Sequence, residues 1–255
     1  MPGYGLRSPG TGILFFYKCV MGPWLRIQGR RMRNTVVRLP EPAGFRSGCA
    51  GEPDGRSLRL LFVGDSTAAG VGVKEQQFAL APQVAEKLAR LRGSSVHWQL
   101  IAKTGATTAS AMQLLDESTP ERSDVLVLSL GTNDVTRQRS PKTFLRDYRM
   151  LVQRLLGETG AGLVIINGLP PIHILPAVPQ PLRWYLGQYA RRLDSELRHW
   201  VATSPSFRFV SLQWAAVPED MAEDRYHPGA GQYFSWAQRI ADNIHLQTTQ
   251  ETSTD

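Results

Sequence analysis

The chain has 255 residues, of which 42% are hydrophobic and 20% charged, a balance that excludes a disordered polymer and is sufficient for one sizeable α/β core. Its formal net charge of +7 is concentrated: residues 1–59 hold ten Lys/Arg against three acids, and the remaining residues balance. The neutral remainder argues against nucleic acid as the partner of the main body, and the basic flank points to an anionic surface such as lipid headgroups or nucleic acid.

The first element is an apolar run, Gly12–Met21 (GILFFYKCVM), interrupted by Lys18. It is far shorter than the ~20 apolar residues needed to span a bilayer. It also precedes Pro23, Trp24 and an Arg-rich stretch, the reverse of a secretory leader, whose basic residues come first. A cleaved leader is thus the weaker reading, beside an apolar segment next to a polybasic patch that touches a membrane surface, or a helix packed on the domain itself. The two cysteines, Cys19 and Cys49, have neither metal-ligand nor CxxC spacing and make no disulfide framework. The expected location is cytoplasmic, with membrane association open. The expected organisation is a basic extension over residues 1–57, a main domain over 58–246 and a polar tail over 247–255.

From Leu58 short apolar runs alternate with amphipathic stretches. Strands are expected at Leu58–Val63, Val96–Ala102, Val125–Leu130, Leu163–Asn167 and Phe207–Ser211, most of them continuous in Val, Ile and Leu, as strands covered on both faces should be. Between them lie helical repeats. Phe78, Ala81, Val84, Leu88 and Leu91 recur at three and four residues. Ser140 as N-cap and Pro141 in the first turn open a helix that presents Phe144, Tyr148, Leu151 and Leu155 and meets Gly157 and Gly160. Two more helices are expected, one carrying Tyr189, Leu193, Leu197 and Trp200, the other from about Gly229 to His245. The alternation predicts an α/β three-layer sandwich with a five-stranded parallel sheet. Gly168–Pro181, with five prolines, is neither helix nor central strand and should lie at the carboxyl edge of the sheet, where open α/β sheets bind ligands.

Four short blocks carry chemistry, and each has a plain structural reading beside it. Gly64-Asp65-Ser66-Thr67 ends the first strand: a serine on a tight turn becomes a nucleophile once a base takes its proton, or is an ordinary loop serine. Lys103-Thr104-Gly105 ends the second: Gly105 lets a backbone N–H approach a substrate oxygen, or merely caps the strand. Gly131-Thr132-Asn133-Asp134 ends the third: the Asn133 amide suits a developing oxyanion, or Asn and Asp simply make a turn. Asp224 stands three residues before His227, the spacing that lets a carboxylate orient an imidazole as base, or that of a surface turn.

Together and in this order the blocks resemble the SGNH, or GDSL-type, hydrolases, over most of residues 58–245. Thr67 departs from the family name, which implies Leu there. The resemblance implies a flavodoxin-like fold with Ser66 as nucleophile, Asp224 and His227 completing the catalytic triad, and an oxyanion hole of the Ser66 amide, Gly105 and Asn133. Asp65 and Asp134 then support loops. Among the other histidines, His199 and His245 fall in helices and His97 begins a strand, so His173 in the proline-rich stretch is the one rival base. The expected activity is hydrolysis of carboxylic esters of short, medium or lipid-like acyl groups through an acyl-enzyme. Ile172, Ile174, Leu175, Val178, Trp184 and Tyr185 either form an acyl wall or pack only on the sheet. A carbohydrate O-deacetylase or an acyltransferase on the same triad are the alternatives; against a non-catalytic binding domain stands the presence of every expected polar residue. No metal motif or phosphate loop occurs, so neither metal nor cofactor is expected. The expected partners are a small-molecule or lipid ester and a membrane surface met by the basic N-terminus.

Overall fold

The computed structural model describes residues 11–52 and 57–252. Its centre is a sheet of six strands: β1 (Ser47–Ala50), β2 (Leu58–Gly64), β3 (Val96–Ala102), β4 (Val125–Ser129), β5 (Leu163–Asn167) and β6 (Phe207–Val210). Their spatial order is β1-β3-β2-β4-β5-β6. The five strands from β2 onward are mutually parallel, and β1 runs antiparallel along β3.

The expectation of five parallel strands is therefore corrected by one added edge strand. β1 reads SGCA, and three of its four residues are exposed. It carries no apolar run to announce it. Backbone pairing alone defines it, from Ser47 opposite Gln99 to Ala50 opposite Val96. Gly48 packs where any side chain would meet the Trp98 indole, with an added Cβ only 2.9 Å from Nε1.

Strand side chains alternate between two core layers, as the two-residue period requires. Leu61, Val63, Leu126, Leu128, Val164 and Ile166 face one layer; Leu60, Phe62, Val125, Val127, Leu163 and Ile165 face the other. Helices α3 (Leu80–Arg92) and α8 (Ala230–Thr252) cover the second layer, through Leu80, Val84 and Leu88 on one and Trp236, Ile240 and Ile244 on the other. The first layer is covered by α4 (Thr108–Asp116), α6 (Pro141–Thr159) and α7 (Leu182–Val201). α6 begins as its sequence dictates: the Ser140 hydroxyl accepts from the Thr143 amide at 3.1 Å, and Pro141 occupies the first turn. α8 runs past Gln247, where the sequence turns polar, to Thr252.

The chain leaves β2 for β3 on one side and returns to β4 on the other. The carboxyl ends of β2 and β4 thus flank a topological switch point, where neighbouring loops diverge and open a crevice. Two short helices start there, α2 (Ser66–Ala69) and α5 (Thr132–Thr136).

The N-terminal helix α1 (Thr11–Thr35) lies outside these layers. One face docks on the start of α7. Leu14 and Leu25 are buried, the Tyr17 and Trp184 rings lie 4.7 Å apart, and Gln28 donates to the Gln180 carbonyl at 2.5 Å and accepts from the Leu182 amide at 3.1 Å. The other face stays open. Ile13, Phe16, Val20, Trp24 and Ile27, spaced by three and four residues, are all exposed. No helix among the described residues is long and apolar enough to cross a membrane.

Candidate active site

The loops at the switch point bring Ser66 and the distant Asp224–His227 pair into one hydrogen-bonded line. Ser66 opens α2 directly after β2 and is 8% exposed. Its Oγ lies 2.9 Å from His227 Nε2. His227 Nδ1 lies 2.5 Å from Asp224 Oδ2. A carboxylate only accepts hydrogen bonds, so Nδ1 carries the hydrogen and Nε2 is left to accept from the serine hydroxyl.

Local structure holds each member. The Asp65 carboxylate caps α2, accepting from the Thr67 amide at 2.9 Å and the Thr67 hydroxyl at 2.8 Å. The other oxygen of Asp224 accepts from the Tyr226 and His227 amides, both at 3.0 Å, so the carboxylate shapes its own loop. The Ala222 amide donates back to the His227 carbonyl at 2.9 Å. Burial pushes the Asp224 carboxyl up, but its bonds from the His227 ring and from the two amides outweigh that, and it stays below the usual carboxylate range. Burial raises Asp65 and Asp134, with the bonds from Thr67 and Thr108 opposing it.

The expected oxyanion donors divide. Ser66 and Asn133 line the same cavity as His227. Gly105 is not among the lining residues; it sits at φ +82° in a turn closed by the Ala106 amide on the Lys103 carbonyl at 3.0 Å. The turn is nevertheless tied to Asn133, whose Nδ2 donates to the Ala106 carbonyl at 3.0 Å and lies 3.5 Å from Asp65 Oδ2. The neighbouring Asp134, fully buried, accepts from the Thr108 amide at 3.0 Å and the Thr108 hydroxyl at 2.8 Å. Asp65 and Asp134 are thus loop supports, one for α2 and one joining the Gly105 and Asn133 loops.

The cavity beside the triad has a volume of about 50 Å³. Its apolar lining includes Leu130, Leu175, Leu212, Trp214, Met221 and Trp236. Of the six candidate residues for an acyl wall, Leu175 alone lines it. Ile172, Val178 and Tyr185 are buried in the core layer beneath, Trp184 packs on Tyr17, and Ile174 is exposed. The proline-rich segment does reach the carboxyl edge, but it folds its apolar side chains inward. Its place in the wall is taken by the loop between β6 and α8, which lacks the apolar periodicity that would have marked it in the sequence.

His173 is removed as a rival base. Its Nε2 lies 3.0 Å from an Arg191 guanidinium nitrogen, and burial together with that cation lowers its tendency to protonate. It does not line the triad cavity. A further support that the sequence did not reveal is Tyr233, whose hydroxyl reaches the Thr67 carbonyl at 3.0 Å and the Val71 carbonyl at 2.8 Å. It pins both ends of the turn that carries Ser66.

Residues 62–246 match the family described as GDSL-like lipase/acylhydrolase. A GDSL-like esterase of Mycobacterium tuberculosis is 27% identical over 184 residues, covering 69% of this chain; the match spans 58% of that protein's length. The psychrotrophic esterase EstA from a Pseudoalteromonas species shares the fold with a TM-score of 0.58 at 17% identity, covering 75% of this chain and 98% of the other. The family 3 carbohydrate esterase of Clostridium thermocellum does so with a TM-score of 0.54 at 16% identity, covering 76% and 99%.

Proposed function

Because the chain belongs to the GDSL-like lipase/acylhydrolase family, we propose that it hydrolyses carboxylic esters of short acyl chains with Ser66 as nucleophile. The observation that carries this reading is the unbroken line from Ser66 Oγ through His227 to Asp224. His227 Nε2 takes the hydroxyl proton as Oγ attacks the ester carbonyl. Negative charge develops on the carbonyl oxygen, and the Ser66 amide, Asn133 and Gly105 are its donors. His227 then gives the proton to the departing alcohol, leaving an acyl group on Ser66. Water repeats the two proton transfers in the same order and releases the acid. Asp224 holds the imidazole in the tautomer that accepts from serine and stabilises it once charged.

The size of the cavity supports a short acyl group. About 50 Å³ holds roughly four water-sized groups, enough for acetyl or propionyl. The alcohol lies outside this cavity, so an acetylated sugar and a simple acetate ester fit it equally, and glycerol in place of water would give acyl transfer on the same serine.

The test is hydrolysis of p-nitrophenyl esters from acetate to palmitate by the wild type and by Ser66→Ala. Turnover that peaks at the shortest chains and falls to background in Ser66→Ala is the expected result. Equal activity in both proteins removes Ser66 as nucleophile. An acetylated oligosaccharide and added glycerol in parallel separate the deacetylase and transferase variants by product.

The partner part of the reading is an anionic membrane surface met by α1. Its open stripe of Ile13, Phe16, Val20, Trp24 and Ile27 is accompanied by exposed Arg26, Arg30 and Arg33, the combination that inserts an apolar face among acidic headgroups. A groove of about 950 Å³ beside α1, lined by Lys18, Lys142, Arg149 and Arg192 among others, supports the same polarity. Sedimentation with phosphatidylglycerol vesicles should retain the wild type and lose Phe16→Asp, while phosphatidylcholine vesicles retain neither. Equal retention of both proteins overturns this part and leaves the hydrolase reading standing.

A further inference from the structure

The segment between α1 and β1, residues 36–46, runs along the carboxyl edge of the sheet and reaches the oxyanion turn. Backbone bonds fix its second half: the Gln76 amide donates to the Ala43 carbonyl at 2.9 Å, and the Leu100 amide to the Arg46 carbonyl at 2.7 Å. Just before Ala43, Pro42 is buried against the turn after α2, where a Cβ on Gly70 would lie 2.9 Å from its ring. This places Glu41 beside Thr104. One Glu41 oxygen accepts from both the Thr104 amide, at 2.6 Å, and the Thr104 hydroxyl, at 2.7 Å. The other accepts from Arg46. We propose that Glu41 is a positioning residue for the reaction, clamping the Thr104 peptide so that the Gly105 amide is held where the oxyanion develops. The proposal rests on the ester-hydrolase reading.

The turn explains why a clamp is needed. Thr104 and Gly105 are the two central residues of the turn closed between Lys103 and Ala106, and Gly105 has φ +82°. A turn with a left-handed glycine at its third position differs from its common alternative mainly by a flip of the peptide between the two central residues. That peptide carries the Gly105 N–H. Glu41 grips the preceding peptide through the Thr104 amide and its residue through the Thr104 hydroxyl, and the following peptide is held by its Ala106 N–H on the Lys103 carbonyl at 3.0 Å and by Arg137 on the Gly105 carbonyl at 3.4 Å. With both neighbours held, the peptide between them has one orientation. Oxyanion donors act through such pre-organisation, and displacement by about an ångström costs up to about 10²-fold in rate. Burial raises the Glu41 carboxyl, but the bonds from Thr104 and Arg46 outweigh it, so the group stays below its ordinary range and is a carboxylate at neutral pH. No step of acyl transfer passes through it.

The experiment compares wild type, Glu41→Ala, Glu41→Asp and Glu41→Gln on p-nitrophenyl acetate. It also measures the second-order rate of Ser66 phosphonylation by a p-nitrophenyl alkylphosphonate, whose phosphoryl oxygen needs the same donors. Glu41→Ala should lower kcat about tenfold or more with little change in KM, and should lower the phosphonylation rate by the same factor. Glu41→Gln keeps an acceptor for the Thr104 amide and should recover most of the loss; Glu41→Asp, one methylene short, should not. If Glu41→Ala does not fold, Glu41→Asp against Glu41→Gln carries the same comparison. Variants that melt earlier than wild type yet keep its kcat and phosphonylation rate overturn the proposal and leave the hydrolase reading untouched. A folded wild type that neither cleaves esters nor takes the phosphonate overturns both.

Discussion

The carbonyl oxygen of Pro228 occupies the space where Gly72 would carry a side chain: a Cβ built there lies 2.1 Å from that oxygen. Gly72 follows the Ser66 turn and Pro228 follows His227, so this contact sets how closely nucleophile and base approach. Gly72 also has φ +113°, a conformation that disfavours any other residue. Gly72→Ala should push the His227 loop outward and lower kcat by about 10²-fold, beyond what its loss of stability explains. Steady-state kinetics below the melting range of the variant check this.

Asn133→Ala should lower kcat by about 10²–10³-fold with a smaller change in KM, because its amide is proposed to bond more strongly to the transition state than to the ester. The variant also frees the Ala106 carbonyl. A thermal shift should accompany the kinetic loss, and Asn133→Asp, which removes the donor but keeps the shape, should match the kinetic loss.

Asp224→Asn should lower kcat by about 10³–10⁴-fold by favouring the wrong imidazole tautomer. It should also change how stability depends on pH. The Asp224 carboxyl is lowered in the folded state, so the native state binds its proton less readily than the unfolded chain does. Its contribution is present above the unfolded value of about 3.9 and is lost as pH falls through the lower folded value. The stability gap between wild type and Asp224→Asn should therefore be constant at neutral pH and shrink below about pH 4. Denaturant melts at several pH values measure it.

Trp214→Ala should enlarge the cavity and move the best substrate from acetate toward longer chains, since this half-buried indole forms part of the lining. Rates across the same p-nitrophenyl series check it. An unchanged profile would place the acyl group on another side of Ser66.

The parts of the fold legible in sequence are those that bury apolar surface. Continuous apolar runs announced β2, β4 and β5, and the Ser140-Pro141 start and Gly160 stop of α6 were written in residue types with a single strong conformational use. β1 was not legible because Ser47, Gly48 and Cys49 point into solvent and the strand is held by its backbone. Ser66, Asn133, Asp224 and His227 stood out because each follows a strand or forms a short polar block, and the structure brings all four together. Of the two readings of the proline-rich segment the structure favours packing on the sheet: apolar side chains near a site in sequence are claimed first by the core, as Ile172, Val178 and Tyr185 are. Glu41 was invisible. Nothing in a proline-flanked glutamate signals a bond to an amide 63 positions away.

The short strand β1 also closes one edge of the sheet. It covers the outer edge of β3, opposite Val96, His97, Trp98 and Gln99, and its own outer rim is short and built from small residues. A sheet edge left open recruits other strands, whether from a second copy or from unfolded chains. A chain begun at Leu58 would keep every residue of the triad and expose that edge with the Trp98 indole on it. Such a truncation also removes Glu41 and is expected both to lose rate and to self-associate, which would make the N-terminal extension a protective edge for the catalytic layer.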